Sequence, residues 1–162
     1  MSTEPTVFIV EDNDIVRERL SCLVKSVKLK DECYASAKDF LDNYNPEQPG
    51  CLVTDVRMQG MSGLELLEKL IAENISLPII VITCHGDVSM AVRAMKVGAF
   101  EFFEKPVNNQ LLLERIQQAI KHDARQRLAH NKRNELLKRL VKLTPRTSLD
   151  EKRTFSLLWI MA

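Results

Sequence analysis

The sequence predicts an α/β protein: a doubly wound five-stranded parallel sheet in the order 2-1-3-4-5, with a C-terminal helical extension. Three observations lead there. Short β-type runs alternate five times with longer stretches of helical spacing, the pattern of a parallel sheet covered by helices on both faces. The strongest short runs are apolar at consecutive positions, as strands buried on both faces must be. Right-handed crossovers then leave few ways to wind five such units, and the common order places the first and third strands side by side at the sheet centre.

Each element follows from local pattern. The first strand is TVFIV at 6–10. Asp14 offers an N-cap to the next helix, where Ile15, Leu20, Leu23, Val24 and Val27 fall near helical spacing. A weaker strand lies around DECYA, and Ser36 then caps a helix carrying Ala37, Phe40 and Leu41. CLVTD at 51–55 is the third strand, and Ser62 begins a helix with Leu64, Leu67, Leu70 and Ile71 along one face. PIIVIT at 78–83 is the clearest strand, followed by a helix over 87–97 that Gly98 stops. FEFFEK is the fifth strand, and 107–120 the fifth helix, with Leu111, Leu112, Ile116 and Ala119 as its apolar stripe.

Bulk properties narrow the function. The 162 residues suit one domain plus an appendage. A net charge of +1 gives no global field toward nucleic acid or membrane. Cys22, Cys33, Cys51 and Cys84 stand singly among apolar neighbours with no CxxC pair, so buried, reduced thiols are expected rather than zinc or redox chemistry. No secretory signal and no membrane-length apolar run is read, and the expected location is the cytoplasm.

The chemistry sits where strands end. In this topology ligands bind beyond the carboxyl ends of the strands, near the switch point. Glu11 and Asp12 follow the first strand, Asp55 the third, Thr83 the fourth, and Lys105-Pro106 the fifth. Any one of these could simply shape a turn or cap a helix; the combination is the signal. Three carboxylates without His or Cys suit Mg²⁺ rather than zinc. A carboxylate is ionised near neutral pH and needs no base to act as nucleophile. One central aspartate beside a metal, a lysine and a hydroxyl suits phosphoryl transfer onto Asp55, with Mg²⁺ and Lys105 stabilising the charge in transit. Thr83 can then bond a phosphoryl oxygen and convert the new charge into loop movement.

The stretches VFIVEDND, LVTDVRMQGMSG, PIIVITCHGD and FEFFEKPV resemble the motifs of the receiver domain of bacterial two-component response regulators, over roughly residues 5–122. The resemblance implies a flavodoxin-like receiver fold and phosphoryl acceptance by Asp55 from a phosphohistidine on a sensor histidine kinase. It implies that Asp12 and Asp55 hold Mg²⁺ with the backbone carbonyl of Arg57, Glu11 acting largely through water or charge. Thr83 and Phe102 take the switch positions, Lys105 contacts the phosphate, and Lys105-Pro106 is expected to be a cis peptide bond. The face of the fourth helix, fifth strand and fifth helix usually mediates dimerisation in this family, so a homodimer on phosphorylation is expected. Gln59 stands where proline is usual and Cys84 where glycine is common, both in loops beside the site.

Competing chemistries fit less well. A flavin-binding protein of the same fold needs a Ser/Thr/Gly loop to cradle phosphate, whereas EDND repels it unless a metal intervenes. An aspartate-nucleophile phosphatase needs a second acid two residues after the nucleophile, and Arg57 stands there. The chain is therefore expected not to be an enzyme beyond slow self-dephosphorylation. A degenerate receiver acting as an unphosphorylated interaction module is the alternative. His85, His122 and His130 are isolated and read as ordinary surface or loop residues, and Met58 and Met61 as packing.

Three regions are expected: a receiver over 1–122, a basic helical linker over 123–146 and an atypical tail over 147–162. The linker is rich in Lys and Arg, with Leu128, Leu136, Leu137, Leu140 and Val141 as a weak stripe. It reads as a solvated interdomain helix in preference to a nucleic-acid contact. LTPR at 143–146 is similar to the opening of LuxR-type helix-turn-helix domains, but TSLDEKRTFSLLWIMA does not continue that pattern. DNA is thus expected as a partner only through an output domain absent from this sequence.

Overall fold

The computed structural model of the chain describes residues 4–84 and 88–143. His85, Asp87, the last three residues of LTPR and the tail lie outside them. The elements run in the order β1 Thr6–Val10, α1 Asp14–Ser26, β2 Lys30–Tyr34, α2 Ala37–Asn43, β3 Gly50–Asp55, α3 Gly63–Ala72, β4 Ile79–Thr83, α4 Val88–Val97, β5 Glu101–Glu104 and α5 Asn109–Leu143. All strands are parallel, in the order β2-β1-β3-β4-β5. The predicted architecture holds.

Alternating side chains of the central strands feed two cores, one on each face of the sheet. Phe8, Val10, Leu52, Ile79 and Val81 pack with Phe40 of α2, Leu66, Leu67 and Leu70 of α3 and Ala94 of α4. Val7, Ile9, Val53, Ile80 and Ile82 pack with Val24 of α1 and with Leu112, Ile116 and Ala119 of α5. Helices α2, α3 and α4 therefore cover one face, and α1 and α5 the other. The aromatic end of the first core is ordered by Phe40, whose ring stacks on Tyr44 at 4.8 Å and meets Phe8 edge-on at 5.6 Å.

The β1–β3 pair is close enough to demand glycine. Gly50 has φ +145°, and a Cβ there would lie 1.8 Å from the Thr6 carbonyl oxygen. Its N–H donates to Asp123 Oδ2 at 2.9 Å, and Asp123 is fully buried.

Several local expectations change. Asn13, not Asp14, caps α1: its side-chain oxygen accepts from the N–H groups of Ile15 and Val16 at 3.0 and 3.1 Å. Asp14 is the first helical residue and pairs with Arg17 one turn on. Ser36 and Ser62 cap α2 and α3 as expected. The fifth helix does not end at 120 but runs to Leu143, because no Gly or Pro interrupts residues 109–143. It starts at Asn109, after Asn108 accepts from the N–H of Leu111. Only Cys51 is buried; Cys22 faces outward on α1, Cys33 lies on the edge strand β2, and Cys84 follows β4 into a loop. The chain forms two compact units, Met1–Ala124 and Arg125–Ala162. In the second, the described residues are helical, with Leu128, Leu136, Val141 and Leu143 exposed. Among the described residues no helix is long and apolar enough to cross a membrane.

Candidate functional site

The site forms where β1, β3, β4 and β5 end. Register places Val10 beside Thr54 and Asp55 beside Ile82, so the residues after β1 and at the end of β3 meet at the sheet centre. The Val56 N–H donates to the Ile82 carbonyl at 2.9 Å, which ties the start of the next loop to β4. Gly63 then brings that loop against Asp55: a Cβ at 63 would lie 2.2 Å from the Asp55 carbonyl oxygen. On the other side, the Lys105 N–H donates to the Thr83 carbonyl at 2.7 Å. The Lys105–Pro106 bond is cis.

Asp55 is the hub, only 6% exposed. Its Oδ2 accepts from Lys105 Nζ at 2.9 Å and its Oδ1 from the Arg57 N–H at 3.1 Å. Glu11, 3% exposed, places Oε2 at 3.8 Å from the same ammonium. Burial pushes the Glu11 carboxyl up to about 7, with the hydrogen bond and charge of Asp55 adding to the rise and Lys105 opposing it. For Lys105, burial pulls downward but is outweighed by the Asp55 hydrogen bond and the two carboxylate charges, which leave its pKa above the ordinary lysine value. Thr83 Oγ1 is completely buried and, among the described residues, bonds no partner.

The predicted residues are gathered unevenly. Glu11, Asp55 and Lys105 form one contact cluster, with Thr83 at the adjoining strand end. Asp12 is exposed, its Oδ2 accepting from the Gln59 N–H at 3.2 Å. The expected convergence of three carboxylates is therefore a close pair plus one held outward by the loop after β3. Among the described residues no three His, Cys, Asp or Glu side chains are grouped to hold a metal ion. Phe102 is half-buried against the core under α2, α3 and α4, and Met58 and Met61 pack there as expected. His122 lies against Phe100, ring centroids 5.6 Å apart; His130 contacts the Asn134 amide.

Two polar residues that matter were not singled out from sequence. Asn13 stands beside another good cap former, so the choice between Asn13 and Asp14 rested on nothing in the pattern. Asp123 continues the buried stripe Leu112, Ile116, Ala119 at helical spacing. That lone acid in an apolar register was the available signal.

A parallel doubly wound sheet with one buried aspartate, tied to a lysine at its switch point, defines a class of ligand-site architecture. Comparison with known proteins gives the family: residues 7–117 match the response regulator receiver domain, and the chain belongs to it. Over 140 residues it is 42% identical to the transcriptional regulatory protein FixJ of Azorhizobium caulinodans, covering 86% of this chain and 66% of that one. It is 41% identical to nodulation protein W of Bradyrhizobium diazoefficiens, covering 90% and 64%, and 45% identical to the response regulator protein TmoT of Ectopseudomonas mendocina, covering 73% and 54%. The chain thus spans between about half and two thirds of these relatives' lengths. The low-resolution structure of the response regulator StyR superposes with a TM-score of 0.81 at 44% identity, covering 89% of this chain and 72% of that one. The crystal structure of FixJ-N does so at 0.68 and 43%, covering 75% and 97%. The chain is a receiver of the two-component response regulators with FixJ-like relatives.

Proposed function

We propose that Asp55 accepts a phosphoryl group from a phosphohistidine of a sensor histidine kinase. One observation carries the reading: the Lys105 ammonium, 2.9 Å from the Asp55 carboxylate, lies where charge develops on a phosphoryl group being transferred. In that transfer a carboxylate oxygen of Asp55 forms the new P–O bond as the P–N bond of the phosphohistidine breaks, and the imidazole leaves. Lys105 Nζ holds the acceptor and neutralises the incoming oxygens. The buried Thr83 hydroxyl supports the reading too, because an unsatisfied buried donor gains a partner when a phosphoryl oxygen arrives.

The donor set fits Mg²⁺: all oxygen and carboxylate-rich, with no nitrogen or sulfur ligand among Glu11, Asp12, Asp55 and the Arg57 carbonyl. Asp12, Asp55 and the Arg57 carbonyl would hold the ion, with Glu11 acting through charge or water. When bound, it neutralises phosphoryl oxygens and relieves the repulsion between Glu11 and Asp55. Arg57 after the acceptor cannot protonate a leaving group, so the protein turns over no free phosphomonoesters and at most slowly hydrolyses its own acyl phosphate.

Phosphorylation then favours a homodimer through α4, β5 and α5. Val88, Val92 and Met95 are exposed on α4 at 80, 44 and 47%, and Arg115 of α5 pairs with Glu101 of β5 at 3.3 Å. As with the relatives called transcriptional regulatory proteins, we place this receiver in the control of transcription, with DNA contacted through an output domain rather than through these residues. We place the receiver's limit near the expected residue 122, with Asp123 still anchored to Gly50 and the basic linker beyond it.

The test is intact mass after incubation with acetyl phosphate, with and without Mg²⁺, for wild type and Asp55→Asn. The expected result is one phosphoryl group in the wild type, dependent on both Mg²⁺ and Asp55. No gain in the wild type overturns the reading in favour of an unphosphorylated interaction module, and a Mg²⁺-dependent gain in the variant means another acceptor.

A further inference from the structure

Beside Asp55, on the sheet face covered by α1 and α5, a cavity of about 450 Å³ opens to the surface. Val53, Ile82 and Leu112 lie behind its lining, almost sealed by packing, and the apolar surface comes chiefly from Val16, Leu20, Pro106 and Val107. Leu20 of α1, Val107 in the loop before α5, and Arg19 are on the lining. The volume falls within the range of small-molecule sites, which pair mostly apolar walls with a few polar groups that fix orientation. Two cations and two carboxylates, Arg19, Lys105, Glu11 and Asp55, line the cavity, and the cations differ in state. Lys105 is tied to Asp55 and Glu11, whereas Arg19 is exposed and, among the described residues, makes no hydrogen bond or ion pair. A planar guanidinium beside an apolar hollow is suited to a carboxylate carried on an apolar body.

We propose that this cavity binds a small organic carboxylate, its apolar part between α1 and α5 and its carboxylate on Arg19. The phosphoacceptor chemistry does not use Arg19, Leu20 or Val107, so the site is additional to it. Because Lys105 and Asp55 also line the cavity, occupancy hinders phosphoryl acceptance. That consequence alone rests on the reading of Asp55 given above.

Naphthoate titrated into the full chain, followed by calorimetry and amide NMR shifts, tests the site. Saturable one-to-one binding is expected, with shifts confined to α1, to residues 105–112 and to the ends of β1, β3 and β4 that line the cavity. Leu20→Trp fills the hollow and abolishes binding, while Arg19→Gln, a surface change that leaves folding intact, weakens it about tenfold. Naphthalenemethanol, neutral and of similar shape, binds about tenfold less well than naphthoate to the wild type. Absence of saturable binding, indifference to Leu20→Trp, or equal binding of acid and alcohol overturns the proposal. Acetyl phosphate labelling run in parallel separates the two readings: binding without labelling removes the phosphoacceptor and keeps the site, and labelling without binding does the reverse.

Discussion

Glu11 sits where ionisation is disfavoured, and folding stability should register it. Its carboxyl is raised from 4.5 to about 7, chiefly by burial. Between those values the folded protein keeps a proton that the unfolded chain has released, so stability falls as pH rises through that window and levels off above it. In EDTA, thermal midpoints should therefore decline from pH 4.5 to 7, and Glu11→Gln should remove most of that decline. Equal slopes for the two proteins would show that Glu11 titrates normally. At this scale the sequence was legible wherever a residue ended a strand: Asp55 and Lys105 meet because register leaves them no alternative. Asp12 was less legible, since its neighbour Gln59 arrives from a loop 47 residues on, and no local pattern encodes that contact.

Among the elements, strands buried on both faces were readable almost to the residue. TVFIV became Thr6–Val10 and PIIVIT became Ile79–Thr83, because a fully buried strand must be apolar throughout. Helix ends were harder. Ser36 and Ser62 each stood as the single good cap former and were read correctly, whereas Asn13 and Asp14 compete. The geometry now distinguishes them: Asn13→Ala should cost about 1 kcal/mol in urea denaturation, and Asp14→Ala markedly less. The reverse order would return the cap to Asp14. The far end of α5 was read as a separate helical linker rather than as a continuation of the fifth helix, for a different reason. The apolar stripe fades after Ile120 while helix propensity does not, and periodicity reports burial rather than helicity. The cysteines failed similarly: apolar neighbours in sequence do not imply burial on an outward helix face or an edge strand.

For the molecule as a whole, β–α alternation and the handedness of crossovers sufficed to fix the topology, and with it the meeting of four strand ends at one site. What alternation does not encode is how copies associate. If phosphorylation acts through α4 and β5, beryllofluoride with Mg²⁺, as a stable stand-in for the phosphoryl group, should double the mass seen by light scattering. Val92→Glu on the exposed side of α4 should keep that mass single while leaving phosphorylation of Asp55 intact. Dimerisation unaffected by Val92→Glu would move the interface elsewhere. The Asp123–Gly50 hydrogen bond carries a practical lesson about where this receiver can be cut. A fragment stopping at residue 122 discards the carboxylate and strands the Gly50 amide at the root of β3, the strand whose other end carries Asp55. Such a fragment should unfold about 1–3 kcal/mol more easily than one ending at 124, as urea midpoints would show. A matched pair of midpoints would mean that the strand holds its place without that anchor.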